Sequence, residues 1–332
     1  MARPVPTAAR LRAAAALAWA TLAWLAPGAA AAEPLRIAAA RSPVSLPLYV
    51  ARQRGFFADE HLEVAFTECI GGARCLRQVL DGKADLATMS EMPVVLQAFG
   101  HADVAILATI AHASDNLKLI ARRASGITRS EQLAGRKVGV TAGTAAQYLL
   151  ETHLLNVGVD PQRVTMVPLQ AEDTVAALRS GRIDAVAVWE PYGYAALHGA
   201  DAVGVRLPLS SGYLESCNLV GREPVLVRRD DAVVRLLRAT ERAEQFIQDH
   251  PADAQAILRD QLDLDQPFVE WVWAGLAFRM SLDQALVSTM EGEARWAQRE
   301  GHVAEGGRPD VLTLIHPGPL RRVKPAAVGT GG

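Results

Sequence analysis

The stretch from Leu133 to Tyr192 alternates short apolar runs with helical stretches, and this alternation constrains the fold more than any other feature of the chain. The apolar runs are rich in Val and Ala and too short for helices, so they are typical of strands. They predict strands at Lys137–Thr141, Val164–Pro168 and Asp184–Trp189, with helices at Thr144–Asn156 and Glu172–Ser180 between them. Strands that alternate with helices indicate an α/β fold whose parallel sheet is covered on both faces.

The carboxyl end of the first of these strands is chemically distinctive. The strand runs directly into Ala142, Gly143 and Thr144, which open the helix that follows. Small residues leave backbone N–H groups exposed and the helix dipole adds positive potential, so this turn can bind an anion. It also fits an ordinary turn in which Thr144 caps the helix. The stretch alone leaves both interpretations open, although sheets of this kind bind ligands outside the carboxyl ends of their strands.

Residues 35–90 show the same alternation of short strands and helices. The pattern predicts strands at Leu35–Ala40, Leu62–Thr67 and Asp85–Ser90, and helices at Leu46–Arg54 and Ala73–Leu80. The segment Asp81–Met92 also aligns with Ser180–Pro191 without gaps, which pairs Glu91 with Glu190 just past a strand in each copy. The repeat indicates two similar α/β halves.

The remaining chain adds strands and then becomes helical. Further strands are predicted at Val104–Ile110, Leu117–Arg122 and Val203–Pro208, and extended segments at Leu219–Arg222 and Val225–Val227. Helices are predicted at Asp230–His250, Ala252–Gln261, Gln266–Leu276 and Leu282–Glu300. The tail from Pro317 is rich in Pro and Gly, which favours disorder.

Composition limits the possible partners. A length of 332 residues suggests about two domains, and half of the residues are hydrophobic, so material for a core is ample. The formal charge of −2 gives no sign of a nucleic-acid partner. The eight histidines form no metal-binding spacing such as HExxH. We therefore expect no nucleic-acid partner, no metal and no cofactor.

The first residues have the pattern of a secretory signal peptide. Arg3, Arg10 and Arg12 precede an apolar run from Ala13 to Leu25, and small residues follow up to Ala32. This pattern predicts a signal peptide of residues 1–32, and the apolar run is too short to span a bilayer. No Cys follows the predicted cleavage site, so we expect a periplasmic protein without a lipid anchor.

Export places the cysteines in an oxidising compartment. Cys69 and Cys75 bracket a short Gly-Gly loop, whereas Cys217 lies far away in the sequence. We predict a disulfide bond between Cys69 and Cys75, with free thiols as the alternative. A zinc site is not expected, because the spacing is wrong and no pair of histidines lies nearby.

Four stretches resemble the periplasmic substrate-binding proteins of the nitrate/sulfonate/taurine group of ABC transporters, the family that includes the NMT1/THI5-like proteins. The stretches are Pro47–Val64, Gly71–Ser90, Leu133–Tyr192 and Phe246–Leu258. The resemblance implies the type II periplasmic binding protein fold, in which two α/β lobes are joined by a two-segment hinge with a ligand cleft between them. We place lobe 1 at 33–121 and 219–316 and lobe 2 at 122–218, and the composition of the tail predicts a flexible segment at 317–332.

The resemblance also implies where a ligand binds, because family members hold it at the loops after the lobe strands. Carried over to this sequence, the binding residues are Ser42, Ser45, Gly71, Gly72, Ser90, Glu91, Thr141, Gly143, Thr144, Trp189, Glu190 and Tyr192. Near the expected hinge they are His112 and Tyr213. The lobes would close on a small-molecule ligand, and we expect a monomer that delivers this ligand to an ABC transporter permease.

Two glutamates depart from what an anion-binding site needs. A carboxylate of Glu91 that faced the cleft would repel a sulfonate or nitrate, unless it capped the helix at Pro93 or paired with a base. If Glu91 faces the ligand, a cationic or amino-bearing compound is favoured. Glu190 precedes Pro191 and can simply be a helix cap. Trp189 and Tyr192 can stack on a flat ligand or pack in the core.

Three functions fit these patterns. The first is a binding protein for a sulfonate-, taurine- or nitrate-like solute, or for a pyrimidine-like thiamine precursor. The second is an enzyme of the same fold, similar to desulfinases, which need a Cys nucleophile in the cleft. The loop Arg41–Ser45 has no Cys, and neither Cys69 nor Cys217 has a His base beside it in the sequence. The third is a ligand-sensing module with a separate receptor. We expect the binding protein and no enzymatic activity.

Overall fold

The computed structural model describes residues 1–2, 33–100, 103–199, 202–209, 213–304 and 306–329. Apart from residues 1 and 2, the predicted signal peptide and its cleavage site after Ala32 lie outside these ranges. The chain from Pro34 onward groups into one unit by its contacts. Within the described ranges, none of the helices combines the length and the apolarity needed to cross a bilayer.

The described residues form eleven strands. They are β1 Leu35–Ala40, β2 Val64–Cys69, β3 Leu86–Met89, β4 Val104–Ala113, β5 Leu117–Arg122, β6 Lys137–Val140, β7 Thr165–Pro168, β8 Ala185–Trp189, β9 Gly204–Leu207, β10 Glu215–Arg222 and β11 Leu276–Ala277.

The same ranges contain thirteen α-helices. They are α1 Leu46–Gln53, α2 Phe56–Asp59, α3 Gly72–Leu80, α4 Met92–Ala98, α5 Ala145–Asn156, α6 Thr174–Ser180, α7 Tyr192–Leu197, α8 Glu223–Arg228, α9 Asp230–Asp249, α10 Pro251–Leu262, α11 Gln266–Trp273, α12 Gln284–Arg299 and α13 Gly318–Val323.

The strands form two mixed sheets. The first has the order β11-β4-β10-β3-β1-β2, and the second has the order β7-β6-β8-β5-β9. The predicted parallel pairing is present among β1, β2 and β3 and among β6, β7 and β8, whereas β10 and β5 pair antiparallel with their neighbours. Each sheet has its own buried apolar core, so each can pack its helices independently.

The chain crosses between the sheets twice. It leaves the first sheet after β4, passes through residues 114–116 and enters the second sheet at β5; it returns when β10 joins the first sheet. The predicted lobe boundaries at 121–122 and 218–219 therefore fall inside β5 and β10. Strand pairing places the first crossing at 114–116 and ends the second before Glu215.

Two segments differ from their predicted structure. The predicted extended segment Val225–Val227 belongs to the helix α8, because Pro224 fits the first turn of a helix and Leu226 is buried there. The prediction of disorder from Pro317 is wrong for residues 318–329. Gly318 and Pro319 open the helix α13, which packs against α9 and buries Leu320 completely. Residues 330–332 lie outside the described ranges.

A disulfide bond joins Cys69, at the end of β2, to Cys75 in α3. The two Cα atoms are 5.5 Å apart, within the usual range for such bonds. The loop-entropy formula gives a contribution of about 2 kcal/mol for a closed loop of this size. The bond also fixes the Gly-Gly loop between the two cysteines. Cys217 is buried and is not in a disulfide.

The buried helix α13 leads to a stability prediction. Leu320→Ala removes a side chain that is 0% exposed, so we expect it to lower the free energy of unfolding by about 2–4 kcal/mol. Leu312→Ala is the matched control, because Leu312 is 49% exposed and the same truncation there should cost less than about 0.5 kcal/mol. Urea unfolding of both variants measures the difference. Equal, small effects would show that the tail does not pack as described.

Candidate functional site

A cavity lies where the carboxyl ends of strands from both sheets meet. Its volume is about 60 Å³, measured as the space that the centres of water molecules can occupy. It is lined by Ala40, Arg41, Ser42, Val44, Gly71, Gly72, Met89, Ser90, Pro93, Asn116, Leu117, Thr144, Ala145, Ala146, Trp189, Glu215, Ser216 and Cys217. Both sheets therefore contribute to one site.

On the side of the first sheet, three loops follow β1, β2 and β3 into the cavity. Gly71 has a φ of +77°, a left-handed conformation that favours glycine. A Cβ on Gly72 would lie 2.6 Å from the Cβ of Met89, so only glycine lets α3 begin this close to the end of β3. The start of α3 consequently brings backbone N–H groups to the lining.

On the side of the second sheet, the cavity is lined by the start of α5. The hydroxyl of Thr144 donates to the carbonyl of Thr141 at 2.7 Å, and Gln147 accepts the backbone N–H of Gly143 at 2.9 Å. These bonds fix the turn, and the side chain of Thr144 makes no cap hydrogen bond to the helix. The first N–H groups of an α-helix have no partner within the helix, so those of Ala145 and Ala146 can bind a ligand.

The aromatic ring of Trp189 covers the same side of the cavity. Trp189 ends β8, and a Cβ on Gly71 would lie 3.3 Å from its ring, so the indole reaches across to the loop after β2. Tyr192 contacts Trp189 edge to face, with ring centroids 6.3 Å apart, and does not itself line the cavity. Trp189 therefore offers a flat apolar surface that Tyr192 supports from behind.

Polar side chains line the cavity beside the two crossings. Asn116 precedes β5 and Glu215 begins β10, and the amide of Asn116 donates to Glu215 Oε2 at 2.7 Å. Burial raises the pKa of Glu215 to about 7, and the charge of Glu91 acts in the same direction. The site therefore holds a carboxyl group that titrates near neutral pH.

Glu91 is fully buried and does not line the cavity. Its carboxylate accepts hydrogen bonds from the hydroxyl of Tyr213 and, at 2.6 Å, from Ser216. Tyr213 also lies 3.5 Å from Glu293 of α12, whose Oε2 has no hydrogen-bond partner among the described residues. Burial raises the pKa of both Glu91 and Glu293. Glu91 therefore anchors the chain beside the cavity instead of capping α4 or pairing with a base.

Glu190 is a helix cap, as the sequence alternative proposed. Its Oε2 accepts the backbone N–H of Tyr194 at 2.7 Å. Its Oε1 accepts Trp271 Nε1 at 2.7 Å and forms an ion pair with Lys118 at 3.2 Å. The side chain is 0% exposed and does not line the cavity.

The structure brings together some of the predicted ligand residues and places the others elsewhere. Those that line the cavity are Ser42, Gly71, Gly72, Ser90, Thr144 and Trp189. Among the described residues, those predicted but not in the lining are Ser45, Glu91, His112, Thr141, Gly143, Glu190, Tyr192 and Tyr213. Ser45 is bonded to Thr88 at 3.0 Å, and His112 lies on β4, where burial lowers its pKa.

Sequence reasoning missed the polar groups beside the crossings. Asn116, Glu215 and Ser216 line the cavity, as does Arg41 directly after β1. A signal was present for Asn116, which directly precedes the predicted strand Leu117–Arg122. Glu215 is followed by Ser216 and Asn218 and precedes no apolar run, so there was no comparable signal for it in the sequence.

Solved structures share this arrangement of two sheets. The alkanesulfonate-binding protein SsuA from Xanthomonas axonopodis pv. citri, bound to MOPS, is similar with a TM-score of 0.75 and 18% identity, covering 86% of this chain and 98% of that chain. The desulfurization enzyme DSZB is similar with a TM-score of 0.64 and 17% identity, covering 88% and 99%. The fold is that of the type II periplasmic binding proteins, with two α/β lobes.

The chain belongs to the NMT1/THI5-like family, whose model matches residues 42–254. A Bacillus subtilis (strain 168) protein, named provisionally as binding aliphatic sulfonates, is 29% identical over 233 residues, which cover 68% of this chain and 69% of that protein. The taurine-binding periplasmic protein of Escherichia coli (strain K12) is 24% identical over 241 residues, covering 72% and 68%. The predicted family is confirmed.

The raised pKa of Glu215 predicts how stability depends on pH. The folded state keeps a proton on Glu215 that the unfolded state loses near pH 4.5, so the free energy of unfolding should fall as the pH rises from about 4.5 to about 7. Burial raises the pKa of Glu91 and Glu293 as well, which adds to the fall, while the nearby charge of Lys118 opposes it at Glu215.

Glu215→Gln tests this dependence, because the amide cannot titrate. Between pH 5 and pH 8 the variant should lose about 2 kcal/mol less stability than the wild type. Glu223→Gln is the matched control, since Glu223 is exposed and lies away from the cavity. Guanidinium unfolding at both pH values gives the comparison. Parallel losses in all three proteins would contradict the raised pKa of Glu215.

Proposed function

We propose that this protein is the periplasmic solute-binding component of an ABC importer. It captures a small organic solute in the cavity by closure of the two lobes and delivers the solute to the membrane permease as a monomer. The observation that carries the proposal is the cavity, because side chains and helix starts beside both sheets meet around one space. The names of the relatives support it, since they are binding proteins for sulfonates and taurine.

The two crossings support a closing motion. Each is a short stretch of chain between the sheets, and in two-lobed proteins such stretches absorb the rotation that closes a cleft. The signal peptide expected from residues 1–32 and the periplasmic names of relatives support a periplasmic location. The permease partner is inferred from the transport role alone.

A second candidate, an enzyme of the desulfinase type, has one observation in its favour. The buried thiol of Cys217 lines the cavity. Burial and the charges of Glu215 and Glu91 raise its pKa far above the ordinary value, so the thiolate that would act as a nucleophile is disfavoured. The raised pKa of this thiol therefore favours binding over catalysis.

Trp189→Ala tests the binding site. In a thermal-shift screen of the mature protein against sulfonates, nitrate, pyrimidines and small amines, a ligand at 100 times its dissociation constant should stabilise the wild type by about 2.7 kcal/mol. Removal of this aromatic ring should weaken binding of that compound by about tenfold or more. The control is Trp273→Ala, because Trp273 packs against the first core and does not line the cavity.

The outcomes separate the two candidate functions. A compound that stabilises the protein and is recovered unchanged after prolonged incubation supports transport. A product that wild type forms and Cys217→Ser does not form would favour the enzyme. If no compound shifts the melting temperature, or if Trp273→Ala weakens binding as much as Trp189→Ala, the cavity is not the binding site.

A further inference from the structure

The helix α12 packs directly against α5 and so connects the two halves of the structure. Leu286 and Met290 of α12 belong to the core of the first sheet, whereas α5 belongs to a core of the second sheet. The ring of Trp296 in α12 contacts that of Tyr148 in α5 edge to face, with centroids 5.5 Å apart. A Cβ on Gly292 would lie 3.1 Å from the hydroxyl of Tyr148, so the lack of a side chain there permits the close approach.

Hydrogen bonds lead from this contact to the cavity. The indole N–H of Trp296 donates to Glu151 Oε2 at 2.9 Å, and Gln147 Nε2 donates to Glu151 Oε1 at 2.9 Å. The side-chain carbonyl of Gln147 accepts the backbone N–H of Gly143, also at 2.9 Å. We call Trp296, Glu151, Gln147 and Gly143 the hydrogen-bond chain. It ends directly before Thr144, which lines the cavity.

The hydrogen-bond chain is buried, and the chemistry of its members fixes its direction. Trp296 is 1% exposed, Glu151 is 4% exposed and Gln147 is 7% exposed. An indole N–H only donates and an ionised carboxylate only accepts, so Gln147 must turn its N–H groups towards Glu151 and its carbonyl towards Gly143. The orientation of Glu151 therefore determines whether Gly143 has an acceptor.

Glu151 depends on donors that come from the side of the first sheet. In the described part of the chain it has no Lys or Arg partner, and its remaining neighbour is His302, whose Nε2 lies 3.2 Å from the oxygen that accepts from Trp296. Trp296 lies on α12 and His302 follows that helix. Because a buried carboxylate that loses its donors is strongly unfavourable, Glu151 keeps this orientation only while α12 stays against α5.

The turn at the end of the hydrogen-bond chain relies on Gln147. Gly143 has a φ of +69°, a left-handed conformation that glycine enters and leaves without steric cost. The hydroxyl of Thr144 bonds the carbonyl of Thr141 and does not restrain the N–H of Gly143. The next two backbone N–H groups have no partner within α5, so their direction follows from the shape of this turn.

We propose that the hydrogen-bond chain couples the packing of α12 against α5 to the order of the turn that lines the cavity, and that Glu151 and Gln147 are positioning residues for the bound solute. The proposal rests on the proposed function, since the captured solute is what uses this turn. Coupling of this kind is reciprocal, so a solute that orders the turn also stabilises the contact between the two helices.

Hydrogen exchange of the mature protein, measured by NMR without any added solute, tests the coupling. Trp296→Phe removes the indole N–H and keeps an aromatic ring. The backbone N–H of Gly143 should then exchange about tenfold or more faster than in the wild type, because its acceptor loses the bond that orients it. Thermal melting shows whether the variant is folded.

Trp271→Phe is the matched control, because the indole N–H of Trp271 also donates to a buried glutamate, Glu190, at 2.7 Å. Glu190 accepts the backbone N–H of Tyr194 at 2.7 Å and is not part of the hydrogen-bond chain. This variant should accelerate exchange at Tyr194 and leave that of Gly143 unchanged. Trp296→Phe should do the reverse.

The wild type provides a test that needs no variant. If opening of the contact between α12 and α5 releases the turn, the backbone N–H of Gly143 cannot be more protected from exchange than the indole N–H of Trp296. Greater protection of Gly143 would overturn the proposal. An unchanged exchange rate of Gly143 in folded Trp296→Phe, or equal acceleration of Gly143 by Trp271→Phe, would also overturn it.

The exchange experiments and the solute screen are decided separately. If exchange at Gly143 does not depend on Trp296, the coupling fails and the transport function is untouched. If exchange behaves as expected but no compound in the screen binds, the coupling of turn and helix contact stands. In that case the proposed function fails, and with it the role of Glu151 and Gln147 in positioning a solute.

Discussion

The rest of the structure depends on the two places where the chain crosses between its sheets. Asn116 lies in the first crossing, directly before β5, and Glu215 begins β10 directly after the second. Their hydrogen bond joins the two crossings at the cavity. Because the parallel strands of both sheets end around the same space, the crossings, the loops after the strands and the cavity all meet in one region.

Buried carboxylates that accept from aromatic side chains connect distant parts of this arrangement. Glu190, after β8, accepts the indole N–H of Trp271, and Glu151 of α5 accepts that of Trp296 at 2.9 Å. Both donors lie on helices that follow β10 in the chain, whereas both acceptors belong to the segment of the second sheet. Such charge-assisted bonds are directional, so they fix how the C-terminal helices pack beside the second sheet.

The internal repeat places two glutamates at equivalent positions, but their hydrogen-bond partners differ. Glu91 and Glu190 each follow the last strand of their repeat, as the alignment predicts, and both are fully buried. Glu91 accepts from Tyr213 and Ser216, while Glu190 accepts from Trp271 and caps α7. Neither lines the cavity, and the glutamate of the cavity lining is Glu215, which has no counterpart in the repeat.

The sequence by itself determined the family, the two α/β halves and most strands and helices, because apolar periodicity and the residues at helix starts and ends are local properties. It also identified the loops of Ser42, Gly71 and Ser90 and the turn at Thr144, since loops at the carboxyl ends of parallel strands follow from strand order. Only the tertiary structure decided the direction of each side chain and the contacts between segments far apart in the chain. Asn116 and Glu215 are 99 residues apart, and they meet because β10 pairs antiparallel with β4, which places Glu215 opposite Ala113. The same reason explains the tail: Pro and Gly favoured disorder locally, but the apolar surface of α9 gives Leu320 a place to be buried.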